Sequence, residues 1–210
     1  MEWGNVLIQS DRMPKPIEDL DKELRAMALE SGATDIKLIE PENIVTAHWV
    51  RQKCKFGCKN YGTRYTCPPY SPTPDETRKV LDEYTRAYII KYEGFLGFDI
   101  YPPKRLNDAM TDLSLHVCKA AYEMERHAFL SGYYKAFSYG AHRCRKCDVC
   151  AVMESNKGCR FPFVARPSIE SAGIDVFKTS ENAGLGTSVV LDKVITEPKQ
   201  LPTFTLLLLE

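Results

Sequence analysis

The amino-acid sequence predicts an α+β or α/β fold, built as a single sandwich-like domain with two cysteine-bearing loops. Segments with the helical spacing of apolar residues alternate with apolar, strand-like segments, and the connections between them are uneven in length. Seven of the eight cysteines fall into two short groups. The 210 residues suffice for one hydrophobic core, so we expect one domain over 1–210.

Two elements are predicted before the cysteines begin. Residues 1–16 have no periodic pattern, so we expect an irregular lead-in there, or an edge strand at 5–9. Apolar residues at spacings of three and four predict a helix over 17–31, which a glycine ends. Alternating apolar and polar residues then predict a half-buried strand over 33–40.

The later elements follow from caps, apolar runs and stop signals. Thr73, followed by Pro74 and two acidic residues, is typical of a helix start. A continuous apolar stripe predicts the longest helix. The predicted elements are a helix over 73–84, a central strand over 86–92, the long helix over 106–130, a strand over 133–139, short helical segments over 166–173 and 176–182, and a buried final strand over 204–208.

The first group of thiols is Cys54, Cys58 and Cys67, separated by three and then eight residues. Prolines directly after Cys67 prevent a helix there, and nearby glycines allow the backbone angles of a tight wrap. We therefore expect a loop that encloses a metal group. Three thiolates on a four-iron cluster would leave one iron open to a substrate or water.

The second group is denser, with Cys144, Cys147 and Cys150 at two-residue gaps and Cys159 after eight more residues. Such gaps let a loop place three thiolates on one face of a cubic [4Fe–4S] cluster, and Cys159 is the candidate fourth ligand. Interleaved arginines and lysines would stabilise the anionic cluster. Zinc is the alternative, since four thiolates also satisfy its tetrahedral coordination. Two [4Fe–4S] clusters, one per group, are therefore expected.

Cys118 and His142 each allow two interpretations. Cys118 lies in the long helix beside its apolar stripe, where a thiol serves as a small core side chain or as the missing fourth ligand of the first site. His142 precedes Cys144 by two residues and is a ligand, a proton donor to bound sulfide, or a loop residue that only forms hydrogen bonds.

Charge and hydropathy narrow the classes of function. Lys plus Arg and Asp plus Glu balance at 28 each, so no overall charge favours nucleic acid or an anionic membrane. No apolar run approaches the roughly 20 residues of a membrane span and no signal region is visible, so we expect a cytoplasmic location. Thiols stay reduced there, which favours metal binding over disulfides.

Several longer motifs resemble one protein family. They are Cys-x3-Cys-x-Asn-Tyr-Gly, Cys-Pro-Pro-Tyr-Ser-Pro-Thr-Pro-Asp-Glu-Thr, Gly-Tyr-Tyr-Lys-Ala-Phe, and Arg-Pro-Ser-Ile-Glu-Ser-Ala-Gly-Ile-Asp-Val-Phe-Lys-Thr. From Cys54 to Leu185 the chain is similar to the predicted metal-binding proteins grouped as domain of unknown function 2284. The resemblance implies that the seven grouped cysteines are ligands and Cys118 is not. It also implies iron–sulfur clusters in a low-oxygen cytoplasm, because the family is associated with archaea and anaerobic bacteria.

Three functions remain open at this point. The expected one is electron transfer through two [4Fe–4S] clusters to an anaerobic redox enzyme or complex, because no nucleotide or organic-cofactor motif is present. The first alternative is an enzyme that uses the open iron of the three-cysteine site for sulfur transfer or reductive chemistry. The second is a zinc-stabilised scaffold or interaction module. The motif that begins at Arg166 is expected to brace the second cysteine loop, with a pocket lined by its arginine, serine and glutamate as the alternative.

Overall fold

The computed structural model describes residues 13–96, 103–154, 158–186 and 199–210. The strand considered at 5–9 lies outside these ranges. In chain order the elements are α1 (Ile17–Glu30), β1 (Asp35–Ile39), α2 (His48–Gly57), α3 (Pro74–Leu81), β2 (Arg86–Leu96), α4 (Pro103–Leu130), β3 (Phe137–Tyr139), α5 (Ala151–Glu154), α6 (Val176–Asn182) and β4 (Lys199–Leu209). Short 3-10 turns occur at Pro41–Asn43 and Glu170–Ala172.

The four described strands form one sheet in the order β1-β2-β4-β3, and every neighbouring pair is antiparallel. The fold is therefore α+β, because an α/β fold would require parallel strands. β2 is interior, as its apolar run predicted. β4 pairs with β2 along its whole length, for example Ile89 with Leu206, and with β3 on its other side.

Both faces of the sheet are covered, which explains the unbroken apolar run of β4. On one face, α1 and α4 pack through buried side chains such as Leu24 and Met124 against Tyr88 and Leu207. On the other face, α3 and the segment after Arg166 contribute a second buried cluster, which includes Leu81, Ile169, Ile174, Ile89 and Leu206. Strands buried on both sides read as continuous apolar runs rather than alternating ones.

The helix predicted from Thr73 has the expected N-terminus. The Thr73 hydroxyl accepts from the Glu76 amide at 3.2 Å, and the Glu76 carboxylate accepts from the Thr73 amide at 2.7 Å. This reciprocal capping box satisfies two amides that have no partner within the helix. The helix ends at Leu81, three residues earlier than the prediction.

Two predicted elements are shorter than expected, and one observed helix was not predicted. The strand over 133–139 is shortened to Phe137–Tyr139, because residues 133–136 form a turn closed by a hydrogen bond. The helix over 166–173 is reduced to one 3-10 turn. The helix α2 was not predicted at all. Its cysteines and terminal glycine obscured a helix that ends well before the prolines after Cys67.

Two polar clusters anchor the helices to their surroundings. On α4, the largely buried Glu125 carboxylate accepts from Arg166 and from the backbone and hydroxyl of Ser138. On α1, Glu23 accepts from Lys15 at 2.6 Å and contacts the His127 ring at 2.7 Å. Within the described parts of the chain, none of the helices combines the length and hydropathy needed to cross a membrane.

Candidate metal centre

The first thiol group starts on a helix and ends in a loop. Cys54 lies in α2, Cys58 directly follows the last residue of that helix, and Cys67 lies further along the chain. All three residues line one cavity of about 350 Å³, called the wide cavity below. Cys58 is exposed and Cys67 is buried, so the cavity reaches from the surface into the protein. The predicted loop therefore accounts for only part of this site, since a helix carries Cys54.

Local hydrogen bonds fold the segment after Cys58 into a compact turn. Gly62, at a φ of 72°, donates from its amide to the Pro68 carbonyl at 2.7 Å. Glycine adopts this left-handed conformation readily because it has no Cβ. The Cys67 amide donates to the Arg64 carbonyl at 3.0 Å. These bonds hold Cys67 inside the turn, where its side chain reaches the cavity.

The second thiol group lines a separate space, called the narrow cleft below. Its four cysteines, Cys144, Cys147, Cys150 and Cys159, border about 10 Å³ of free space, close to the room that one water molecule needs. A cubic cluster therefore enters only if this loop widens. Within the described ranges, no three His, Cys, Asp or Glu side chains are arranged closely enough to hold a single metal ion.

Two short stretches of chain border both sites. Cys144 lines the narrow cleft, while the next residue, Arg145, lines the wide cavity. In the same way Thr66 lines the narrow cleft and Cys67 lines the wide cavity. The stretches around Cys144 and around Cys67 therefore form a wall that the two sites share.

Arginine side chains tie the two thiol segments together. Arg64, from the first segment, donates to the carbonyls of Cys147 and Asp148 at 2.7 and 3.1 Å. In the opposite direction, Arg143 donates to the side-chain oxygen of Asn60 at 3.1 Å. Each segment therefore holds the other in position, and moving one breaks bonds in both.

The surroundings of both sites are cationic although the whole chain is neutral. Between Asn43 and Pro74 the chain has five lysines and arginines and no aspartate or glutamate. From the second segment, Arg143 and Arg145 line the wide cavity. Burial lowers the pKa of Arg145, and the positive charges of Arg143 and Arg64 lower it further. This concentration of positive charge fits an anionic group such as a thiolate-bound cluster.

Burial favours the protonated form of several thiols. It raises the pKa of Cys67 to about 11, and the neighbouring thiols of Cys58 and Cys54 add to the effect. Burial is also the main reason why the pKa values of Cys54 and Cys144 are raised. Because metals bind thiolates, loading either site has to release protons.

Cys118 lies apart from both sets of lining residues. Its Sγ donates to the Ala141 carbonyl at 3.4 Å and accepts from the Ala141 amide at the same distance. It also packs so closely on Gly140 that a Cβ there would lie 2.8 Å from the sulfur. Its place is that of a small packing side chain beneath the second loop, which matches the first of its two interpretations.

His142 lines the wide cavity, unlike the other histidines. Its ring contacts the Thr203 hydroxyl at 3.3 Å, and burial lowers its pKa, which favours the neutral ring. A neutral imidazole both donates and accepts, so both polar roles remain open to it. The other histidines contact structural partners: His48 contacts Asp75, His116 contacts the Ser31 carbonyl, and His127 contacts Glu23.

The motif that begins at Arg166 both braces the structure and lines a pocket. The Arg166 guanidinium binds the Glu125 carboxylate through Nε at 2.8 Å and through a second, shorter contact. Further along, Ser168, Glu170 and Ser171 line the wide cavity. The sequence allowed the serine and glutamate of this motif to line a pocket, although their spacing did not mark them as metal ligands.

Comparison with known protein families, proteins and solved structures identifies the family of this chain. The family model DUF2284, described as a predicted metal-binding protein, matches residues 37–209, which include all seven grouped cysteines. The chain belongs to this family. DUF2284 membership confirms the resemblance seen in the motifs and extends it on both sides of residues 54–185. No curated protein and no solved structure matches the chain significantly.

Proposed function

We propose that this DUF2284 protein binds two [4Fe–4S] clusters and transfers electrons to an anaerobic redox enzyme or complex in a low-oxygen cytoplasm. The observation that carries the proposal is the pair of thiol-lined cavities that share one wall of the chain. Two redox groups at such close range suit an electron relay. A metal-binding family without a nucleotide motif is compatible with that role.

The residues divide between the two sites by the cavity that they line. Cys144, Cys147, Cys150 and Cys159 would hold the second cluster, and Cys54, Cys58 and Cys67 would hold the first. A bound [4Fe–4S] cluster supplies one-electron redox chemistry. The surrounding arginines would stabilise the added negative charge and raise the reduction potential.

Metal analysis with matched variants tests this proposal. After anaerobic purification we expect about eight iron and eight sulfide per chain, as two four-iron clusters require. Cys147→Ser and Cys58→Ser should each lower the iron content by roughly half, because each removes a ligand from one cluster. Cys118→Ser is the control and should leave the iron content unchanged. A colourless protein with stoichiometric zinc and no acid-labile sulfide would overturn the cluster proposal in favour of the zinc scaffold.

A surface beside the first site suits a redox partner. Trp49 and Phe177 line an apolar groove of about 400 Å³ whose wall also contains Cys54 and Cys58. Both aromatic side chains are exposed, at 46% and 45%. The α2 helix on this side contributes lysines and no acidic residue. We propose that an acidic electron-carrier protein docks here, because its charge complements that of the helix.

Salt dependence and charge reversal test the docking surface. Electron transfer to an acidic iron–sulfur carrier should slow as salt rises, because exposed charges are screened. Reversing Lys53 and Lys55 together to glutamate should slow transfer at low salt about tenfold or more. Lys22→Glu on α1 is the control, and it should have little effect. Equal rates with the double variant and the control would contradict this surface.

One observation favours the open-iron enzyme as a second candidate. The wide cavity of about 350 Å³ has three thiols and access from the surface, so a small molecule can reach metal held there. A hydrosulfide or thiol substrate would then change the spectrum of that cluster on binding. No spectral change with any such ligand would leave electron transfer as the better account.

A further inference from the structure

Glu170 occupies the same cavity as the three-cysteine group. Its side chain lines the wide cavity with Cys54, Cys58 and Cys67. It also lines the apolar groove on the other side of Cys54 and Cys58. The 3-10 turn that carries it packs against α2, the helix of Cys54. Glu170 therefore lies in the same cavity lining as the three thiols.

The backbone around Glu170 is held in place from several directions. The next residue, Ser171, accepts at its carbonyl from the Ser71 hydroxyl at 2.5 Å and from Arg51 at 3.0 Å. The Ser171 amide donates to the Ser168 hydroxyl at 3.1 Å. A functional side chain is positioned well when its supporting backbone is fixed in this way.

The Glu170 carboxylate itself takes no part in this bracing. Glu170 is partly buried, and its negative charge adds to the raised pKa of the Cys54 thiol, of which burial is the main cause. The neighbouring Arg51 donates hydrogen bonds to Ser71 and to the Ser171 carbonyl instead. A carboxylate beside a cavity thiol is suited to bind a metal group that enters the cavity.

We propose that Glu170 is the fourth protein ligand of the cluster held by Cys54, Cys58 and Cys67. This assignment rests on the proposed function, because it requires a four-iron cluster at that site. Carboxylates bind iron, although more weakly than thiolates bind the iron of a cluster. A carboxylate on the fourth iron closes the site against substrate, which favours electron transfer over the open-iron alternative.

Controlled oxidation tests the ligand. With ferricyanide as the oxidant, a [4Fe–4S]²⁺ cluster releases one Fe²⁺ and gives one electron to ferricyanide, leaving [3Fe–4S]⁺, which is detected by electron paramagnetic resonance. Anaerobic wild type should release this iron at a moderate rate. Glu170→Ala should release it about tenfold faster and Glu170→Cys about tenfold more slowly, a range typical of changes around a metal.

Matched variants separate the possible outcomes. Glu170→Gln keeps the size of the side chain and should behave like Glu170→Ala, so a folding defect in the alanine variant does not decide the result. Glu181→Cys, on α6, controls for the addition of a thiol and should match the wild type. Release rates that are the same in all Glu170 variants would refute the ligand while leaving the clusters in place. A wild-type protein without iron would refute the proposed function and this assignment together.

Discussion

Replacing Arg64 with methionine should weaken the connection between the two thiol segments. Arg64 is 9% exposed and donates to the carbonyls of Cys147 and Asp148 at 2.7 and 3.1 Å. Methionine has a similar length but no donor, so both carbonyls lose a partner. Each hydrogen bond from a charged group contributes about 1.5–3 kcal/mol to stability.

The exposure of the two partners sets the magnitude. Asp148 is exposed, so water can replace one of the lost bonds, and the loss should lie at the lower end, about 3 kcal/mol for both bonds. With a urea m-value of about 3 kcal/mol per molar, the unfolding midpoint should fall by about 1 M. That is a large part of the roughly 5–15 kcal/mol that stabilises a typical protein.

Urea unfolding of the anaerobically purified protein, followed by circular dichroism, measures this shift. Arg126→Met, an exposed arginine of α4, is the matched control and should change the stability by less than about 0.5 kcal/mol. Arg64→Lys should recover part of the loss, because an ammonium can still reach one carbonyl. If Arg64→Met unfolds at the same urea concentration as Arg126→Met, the two segments do not depend on this side chain.

Three further predictions concern the stability contributed by residues outside the two cysteine groups. Arg166→Leu leaves the Glu125 carboxylate largely buried without its cation, and urea unfolding should show a loss of about 3 kcal/mol. Gly173→Ala should lose about 2 kcal/mol or more, because φ is 79° and the new Cβ would lie 2.5 Å from Pro74 Cγ. The pKa of Glu23 is lowered mainly by its hydrogen bond from Lys15, so its contribution to stability should be present above pH 4.5 and be lost as the pH falls through the lowered value.

Each of these three stability predictions has a control variant and a result that would contradict it. Glu125→Gln keeps hydrogen bonds without the charge and should be milder than Arg166→Leu; a harsher effect would contradict the pairing argument. Gly184→Ala has a positive φ but open space around the new Cβ, so equal losses at both glycines would show that contact with Pro74 is unimportant. Glu23→Gln should flatten the acid decline of the unfolding midpoint, and an unchanged slope would remove Glu23 as its cause.

Sequence patterns were sufficient where local chemistry decides the structure. The capping box at Thr73, the stripe on α4 and the apolar runs of β2 and β4 all depend on residues close together in the chain. The antiparallel pairing of β4 between β2 and β3 depends on contacts between distant segments. No local periodicity contains that information, so the α+β and α/β alternatives could be separated only by the observed pairing.

The candidate site shows the same division between what local sequence predicts and what contacts between distant segments decide. Cysteine spacing predicted two groups, and the structure places each group on its own cavity. Spacing did not predict that the cavities share a wall, because Arg64 and Arg143 reach between segments more than 80 residues apart in the chain. The sequence allowed Glu170 to line a pocket, but only the fold shows that its 3-10 turn packs against α2 and that it lines the cavity of Cys54.

The position of β4 in the sheet imposes an order on assembly during synthesis. β3 pairs with β4, and the second cysteine segment starts directly after β3. Both cysteine groups therefore leave the ribosome before the strand that completes the sheet beside them has been made. Until β4 has been synthesised, β3 and the cysteine segment that follows it lack this support. The second cysteine segment therefore reaches its final surroundings only after β4 has been synthesised.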